Sequence, residues 1–317
     1  MPVASAVHPR VLEWFADNAR DLPWRTPGTS AWGVLVSEVM SQQTPMSRVA
    51  PKWEAWMATW PTPADLAAAP TSEVLIAWDS LGYPRRALRL QECARAITER
   101  HDGVVPSTEE ELLALPGIGS YTAAAVASFA HRNRATVLDV NIRRVLSRVF
   151  AGVEHPMAAL SKKETAWAAG LVPTHDHVEW NAGVMELGAL VCTSRSPRCA
   201  ECPLQDLCVW NLAGRPAAPE RKPRTQSWAG TDRQLRGAIM KVLRTATTAG
   251  LPTRLLTASA LDLTTTDEET LAGLPAPVVA AVERVRDLGT ADRIDRLVTD
   301  LVSDGLAVLE DGRLRLP

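Results

Sequence analysis

Four of the five cysteines, Cys192, Cys199, Cys202 and Cys208, follow the spacing C-x6-C-x2-C-x5-C. Four thiolates within seventeen residues can close around one metal centre, and both zinc and iron-sulfur accept four sulfurs. Cys93 stands alone on a predicted helix and reads as structural. Two carboxylates are also placed for chemistry. Glu38 lies on a predicted helix with Val34 and Leu35 one turn before it and Ser41 and Gln42 one turn after. Its apolar flank raises the carboxyl pKa and keeps it protonated, as a proton donor requires. Asp139 immediately precedes a helix whose apolar face is Ile142, Val145, Leu146 and Val149, so it reads as an N-cap. The helix start there favours the ionised form, a fixed negative charge beside any developing cation.

The elements that must position these groups are helical. Apolar periodicity broken by proline and glycine predicts helices over roughly 8–19, 31–43, 47–60, 72–80, 84–101, 108–114, 120–131, 141–150, 161–169 and 178–190. Between two of them lies Leu115-Pro116-Gly117-Ile118-Gly119, the helix-hairpin-helix signature. Gly117 and Gly119 permit a tight turn whose amides, next to a helix start, point at a phosphate and so grip a nucleic-acid backbone without reading sequence. Residues 212–230 are proline-rich and aperiodic, which marks a linker between a body over 1–211 and a C-terminal domain over 231–317. In that domain 232–246 and 291–305 read as amphipathic helices and LAVLEDGRLRLP as a hairpin turning at Asp311-Gly312, the pattern of a winged helix.

Charge does not advertise a nucleic-acid partner, because 34 basic residues face 36 acidic ones. Only the linker is basic, with Arg215, Arg221, Lys222 and Arg224 against one acid. Arginine clusters at 85, 86 and 89, at 143, 144 and 148, and at 195 and 198 are either solvated helix faces or local DNA contacts. No apolar run is long enough to cross a bilayer and no secretory pattern opens the chain. The expectation is a cytoplasmic monomer, nucleoid-associated when bound to DNA.

The cysteine spacing, directly after MELGALVC and downstream of LPGIG, resembles the endonuclease III and MutY glycosylases, and LPWR and SEVMSQQT near the N-terminus resemble the MutY adenine glycosylases in particular. The resemblance spans roughly residues 10–210. It implies an all-α helix-hairpin-helix DNA glycosylase fold whose loop 192–208 carries a 4Fe-4S cluster on the four cysteines, and a duplex partner with adenine opposite 8-oxoguanine or guanine. It makes Glu38 the acid that protonates N7 of a flipped adenine, and Asp139, assisted by Asn141, the group that stabilises the sugar cation. Leu22, Trp24 and Arg25 match the segment lining the adenine pocket; Gln42, Gln43 and Tyr83 match residues entering the duplex near the opposite base. Relatives that also cut the strand carry a lysine two places after the second hairpin glycine, where this chain has Tyr121, so an imine there is excluded and base removal alone is expected.

Two departures bear on substrate. Position 182 often carries Gln or Glu in the family and is Ala182 here, and residues 231–317 are too few and too helical for the NUDIX-like domain that reads 8-oxoguanine. Removing those residues is therefore expected to weaken binding to both mispairs alike. A thymine or uracil mismatch glycosylase fits Tyr121 but leaves Glu38 without purpose, since those bases offer no N7. A non-catalytic DNA-binding protein would need neither Glu38 nor Asp139.

Overall fold

A computed structural model describes residues 4–218, 228–246, 250–258 and 263–317. The chain divides into two compact units: 1–42 with 99–223, and 43–98 with 224–317. Neither is continuous in sequence, so the units do not follow the linear boundaries at 211 and 231.

In the first unit Ala31–Ser41 packs on Ser120–Phe129, and His177–Leu190 packs on Ala4–Asn18 and Val140–Leu146. Ser30 caps the first of these helices by accepting from Gly33 N at 3.1 Å, and its apolar stripe, Trp32, Leu35, Val36, Val39 and Met40, is buried. Two glycines allow close helix crossings. A Cβ at Gly188 would lie 2.7 Å from Asn141 Cβ, and one at Gly183 would lie 2.9 Å from Val11 Cγ1. The helix expected over 141–150 ends as an α-helix at Leu146 and continues as a wider π turn over Ser147–Ala151.

The second unit centres on Met46–Thr59, Thr71–Trp78 and Arg85–Arg100, with Trp56 edge-on to both Trp60 and Trp78. The C-terminal segment adds Asp232–Thr245, a short strand β1 (Leu251–Pro252), the helices Arg254–Thr257, Thr265–Ala272, Ala276–Leu288 and Ala291–Ser303, and the hairpin β2 (Val308–Glu310) and β3 (Arg313–Arg315). The antiparallel sheet runs β1-β3-β2, with Leu251 and Leu309 both opposite Leu314. The amphipathic helices and the terminal hairpin expected from the sequence are both present, joined by a third strand. Asp311 and Gly312, both at positive φ, make the hairpin's two-residue turn. Ala276–Leu288 buries Val278, Ala281, Val282 and Val285 at the spacing of one helix face, whereas strand β1 and the helix Arg254–Thr257 carry no periodic signal. Two residues show no alternation, and Arg254–Thr257 is barely one turn.

Thr71–Trp78 contacts Asp232–Thr245, so part of the glycosylase-like sequence and the C-terminal segment share one core. Of the linker arginines only Arg215 falls among the described residues, exposed and at positive φ; Arg221, Lys222 and Arg224 lie outside them.

Candidate active site and metal centre

Glu38, Tyr121, Asp139 and Asn141 come together in the first unit from three helices. The Tyr121 hydroxyl donates to Glu38 Oε2 at 2.7 Å. Burial pushes the Glu38 carboxyl from 4.5 up to about 7; the Tyr121 hydrogen bond and Arg25 pull it down, and the Asp139 charge pushes it further up. The apolar flank read from the sequence thus has the expected effect, and the nearby carboxylate, which sequence does not place, adds to it. Tyr121 is itself held well above its usual range by burial and by the two carboxylates, so it stays neutral and donates.

Asp139 caps Val140–Leu146, its Oδ1 accepting from Ile142 N at 2.6 Å and its Oδ2 from Asn141 Nδ2 at 2.8 Å. Its pKa is nevertheless raised. Burial outweighs the opposing bonds from Ile142 and Asn141 and the charge of Arg144. The cap's preference for the ionised form, expected from sequence, is present but is not the larger effect. Behind Asp139 the contacts continue: Arg144 donates to Asn141 Oδ1 at 2.8 Å, to Gly188 O at 2.7 Å and to Cys192 O at 2.8 Å. A hydrogen-bonded path therefore joins the carboxylate to the backbone of the first cysteine.

Arg144 and Arg148 are buried, and Arg143 chelates Glu164 at 2.7 Å through two nitrogens. The cluster at 143, 144 and 148 is thus neither a solvated face nor a DNA patch; its members hold the interior together. Of the other pairs, Arg198 bonds Glu201 at 2.9 Å while Arg195 is exposed.

Leu22, Trp24 and Arg25 lie in and before the 3-10 turn Pro23–Arg25, with Leu22 buried. Arg25 reaches Glu186 Oε2 at 3.0 Å, and Arg20 binds the same carboxylate at 2.7 and 2.9 Å. Glu186 has no exposed side-chain surface. Burial alone would raise its pKa, but Arg20 and Arg25 bring it down from 4.5 to about 2. Glu186 lies within MELGALVC, and nothing in that motif marks its role. The available signal was an acid on the buried stripe of a helix, which demands a cation. Glu186→Gln is expected to cost about 3–5 kcal/mol, because two partly buried guanidinium groups lose their counter-charge. In the unmodified protein the depressed pKa contributes stability that is complete above about 4.5 and is lost as pH falls towards about 2. Chemical denaturation at pH 7 and pH 3 checks both; an unchanged midpoint at pH 7 in the variant would refute the assignment.

The four cysteines line one cavity with Val145, Leu187, Val191 and Trp210. Arg148, fully buried, donates to the carbonyls of Glu154, Thr193 and Ser194 and to Cys192 Sγ at 3.3 Å, and stacks on Trp210 at 4.5 Å. With no carboxylate partner among the described residues, this guanidinium needs the thiolate charge beside it. The residues fit a four-sulfur, net-negative cluster. Purified protein is expected to be brown with about four irons per chain; a colourless protein holding one zinc would contradict this.

At the hairpin, Ile118 N bonds Leu115 O at 3.3 Å and Gly117 adopts φ +76°. Nothing lies within 4 Å of a Cβ built at Gly119, and no side chain caps the helix it starts. Gly119 is therefore spare as far as internal packing goes, leaving room for an approaching phosphate. Gln42 donates to Thr122 Oγ1 at 3.4 Å, beside Tyr121. Gln43 and Tyr83 belong to the second unit, both at positive φ.

The helix-hairpin-helix-GPD superfamily of base excision DNA repair proteins matches residues 36–168, and the iron-sulfur binding domain of endonuclease III matches residues 192–208. The chain is 52% identical over 239 residues to the adenine DNA glycosylase of Mycolicibacterium smegmatis, covering 75% of this chain and 80% of that protein. It is 48% identical over 253 residues to that of Mycobacterium tuberculosis, covering 78% and 83%. Among solved structures it resembles a thermostable thymine-DNA glycosylase, with TM-score 0.62 and 28% identity over 66% of this chain and 97% of the other.

Proposed function

The chain belongs to the adenine DNA glycosylase family of the helix-hairpin-helix superfamily, and from that premise we propose that it removes adenine from duplexes in which adenine faces 8-oxoguanine or guanine, leaving an abasic site. The observation that carries the reading is the pairing of Glu38, held near neutrality by burial, with Asp139 close enough to perturb it. A purine leaves deoxyribose readily only when its ring is protonated, and a carboxylic acid titrating at about 7 can supply that proton under neutral conditions. Tyr121 holds the acid in one orientation through its hydroxyl.

In the reaction Glu38 delivers its proton to N7 as the N-glycosidic bond breaks and the bonding pair departs with adenine. The Asp139 carboxylate, fixed by Ile142 and Asn141, faces the positive charge left on the sugar. Water then adds to the anomeric carbon and returns a proton to Glu38. Arg25, anchored by Glu186, lies near enough to lower the acid's pKa. Cys192, Cys199, Cys202 and Cys208 would hold the iron-sulfur cluster, which would tie the loop 192–208 together when bound. Tyr121 stands where relatives that also cut the strand carry the imine-forming lysine, so base removal without strand cleavage is the expected activity.

Duplexes carrying A:8-oxoG, A:G, T:G and U:G, incubated with the protein and then treated with alkali, test the proposal. Breaks are expected opposite 8-oxoguanine and guanine, at the adenine. Breaks at T:G or U:G with none at adenine would replace the proposal with a pyrimidine mismatch activity, and no breaks at all would favour a DNA-binding role.

A further inference from the structure

Tyr83 and Trp228 are large rings left 42% and 56% exposed on the second unit. Between them runs the exposed guanidinium of Arg233, its carbon 4.6 Å from the Tyr83 ring centre and 5.2 Å from that of Trp228. Its charged neighbours are committed elsewhere. Asp232 binds Arg293 and Arg296 at 2.7 and 2.8 Å, and Arg236 binds Asp304. Among the described residues Arg233 has no such partner and makes only the two ring contacts.

The turn that presents Tyr83 is held from beneath. Tyr83 has φ +48°, strained for a bulky residue, yet the Gly82 carbonyl before it accepts from Trp78 Nε1 at 2.9 Å and from Arg86 at 3.0 Å. Arg86 in turn lies under Trp78 and beside the Tyr83 ring, at 5.2 and 5.5 Å. Aromatic rings interleaved with guanidinium planes are what nucleic acids use as a stacking surface.

We propose that Trp228 and Arg233 of the C-terminal segment form, with Tyr83, a nucleobase-stacking site for bound DNA, in which Arg233 is the positioning residue that holds the two rings as one surface. This rests on the reading that the protein works on duplex DNA. Stacking uses the π-face that every base has, so the site adds affinity without choosing between 8-oxoguanine and guanine.

Affinity is measured for the full chain on duplexes carrying uncleavable 2′-fluoro-adenine opposite 8-oxoguanine or guanine, over a range of salt. Tyr83→Ala, Trp228→Ala and Arg233→Ala are each expected to weaken binding roughly 5- to 50-fold, equally for both mispairs. The Trp228→Ala, Arg233→Ala double variant is expected to be no more than about twofold weaker than the poorer single, since coupled groups do not add. Arg233→Lys keeps the charge but not the plane and is expected to behave like Arg233→Ala. Wild-type affinity in Trp228→Ala and Arg233→Ala, fully additive losses, loss confined to one mispair, or rescue by lysine with a salt slope that falls by about one only in Arg233→Ala would each overturn the proposal. If the unmodified protein neither binds these duplexes nor releases adenine, the functional reading fails instead.

Discussion

Glu38→Gln is expected to slow adenine release at saturating protein by on the order of 10²–10⁴-fold while duplex affinity changes little, because the amide keeps the shape and loses only the transferable proton. The pH profile of the unmodified protein carries the same information. Glu38 must be protonated, so the rate is expected to fall as pH rises through about 7. Asp139 must be ionised, and burial raises its pKa above the ordinary 3.8, so the rate also falls on the acid side, at higher pH than an exposed aspartate would impose. The two limbs belong to the coupled pair. Tyr121→Phe gives a sharper check, because the lost hydroxyl stabilised the ionised form of Glu38. Its basic limb should move to higher pH; movement to lower pH would mean that the hydrogen bond favours the neutral acid.

Asp139→Asn is expected to reduce single-turnover release by on the order of 10³-fold through loss of the fixed charge facing the sugar. It should also carry a structural cost. The new amide can keep one bond to Ile142 N, but its NH2 then meets the NH2 of Asn141, and turning Asn141 to relieve this would set that group against the Arg144 guanidinium. One unsatisfied buried donor is worth about 1–3 kcal/mol, so a lower Tm should accompany the lost rate. Release within tenfold of the unmodified protein would remove Asp139 from the chemistry, whatever happened to Tm.

Much of this was legible in local sequence because it depends on local geometry. The cysteine spacing, the LPGIG turn, the Asp139 cap and the Asp311-Gly312 hairpin each require only a few neighbouring residues, and an acid flanked by Val34 and Leu35 on a helix carries its desolvation with it. What sequence could not supply were the partners that folding brings from afar. Tyr121 meets Glu38 across 83 residues, and Arg20 and Arg25 meet Glu186 across 166 and 161. Arg148, counted from sequence as one of a surface cluster, ends buried against Cys192.

The balance at Asp139 shows why the division falls there. A helix cap is a property of four consecutive residues and can be read in order, whereas burial is a property of everything packed around the group, and at Asp139 burial is the larger effect. The same holds for the C-terminal segment. Its hairpin and amphipathic helices were visible in the pattern of residues 231–317, but its shared core with residues 43–98 was not, because apolar faces specify that they must be covered and not by what. Sequence alone thus pointed to the chemical groups, the four-cysteine loop and the helical frame; tertiary structure decided the partners that tune each carboxyl, which arginines are structural, and which surface carries the exposed rings.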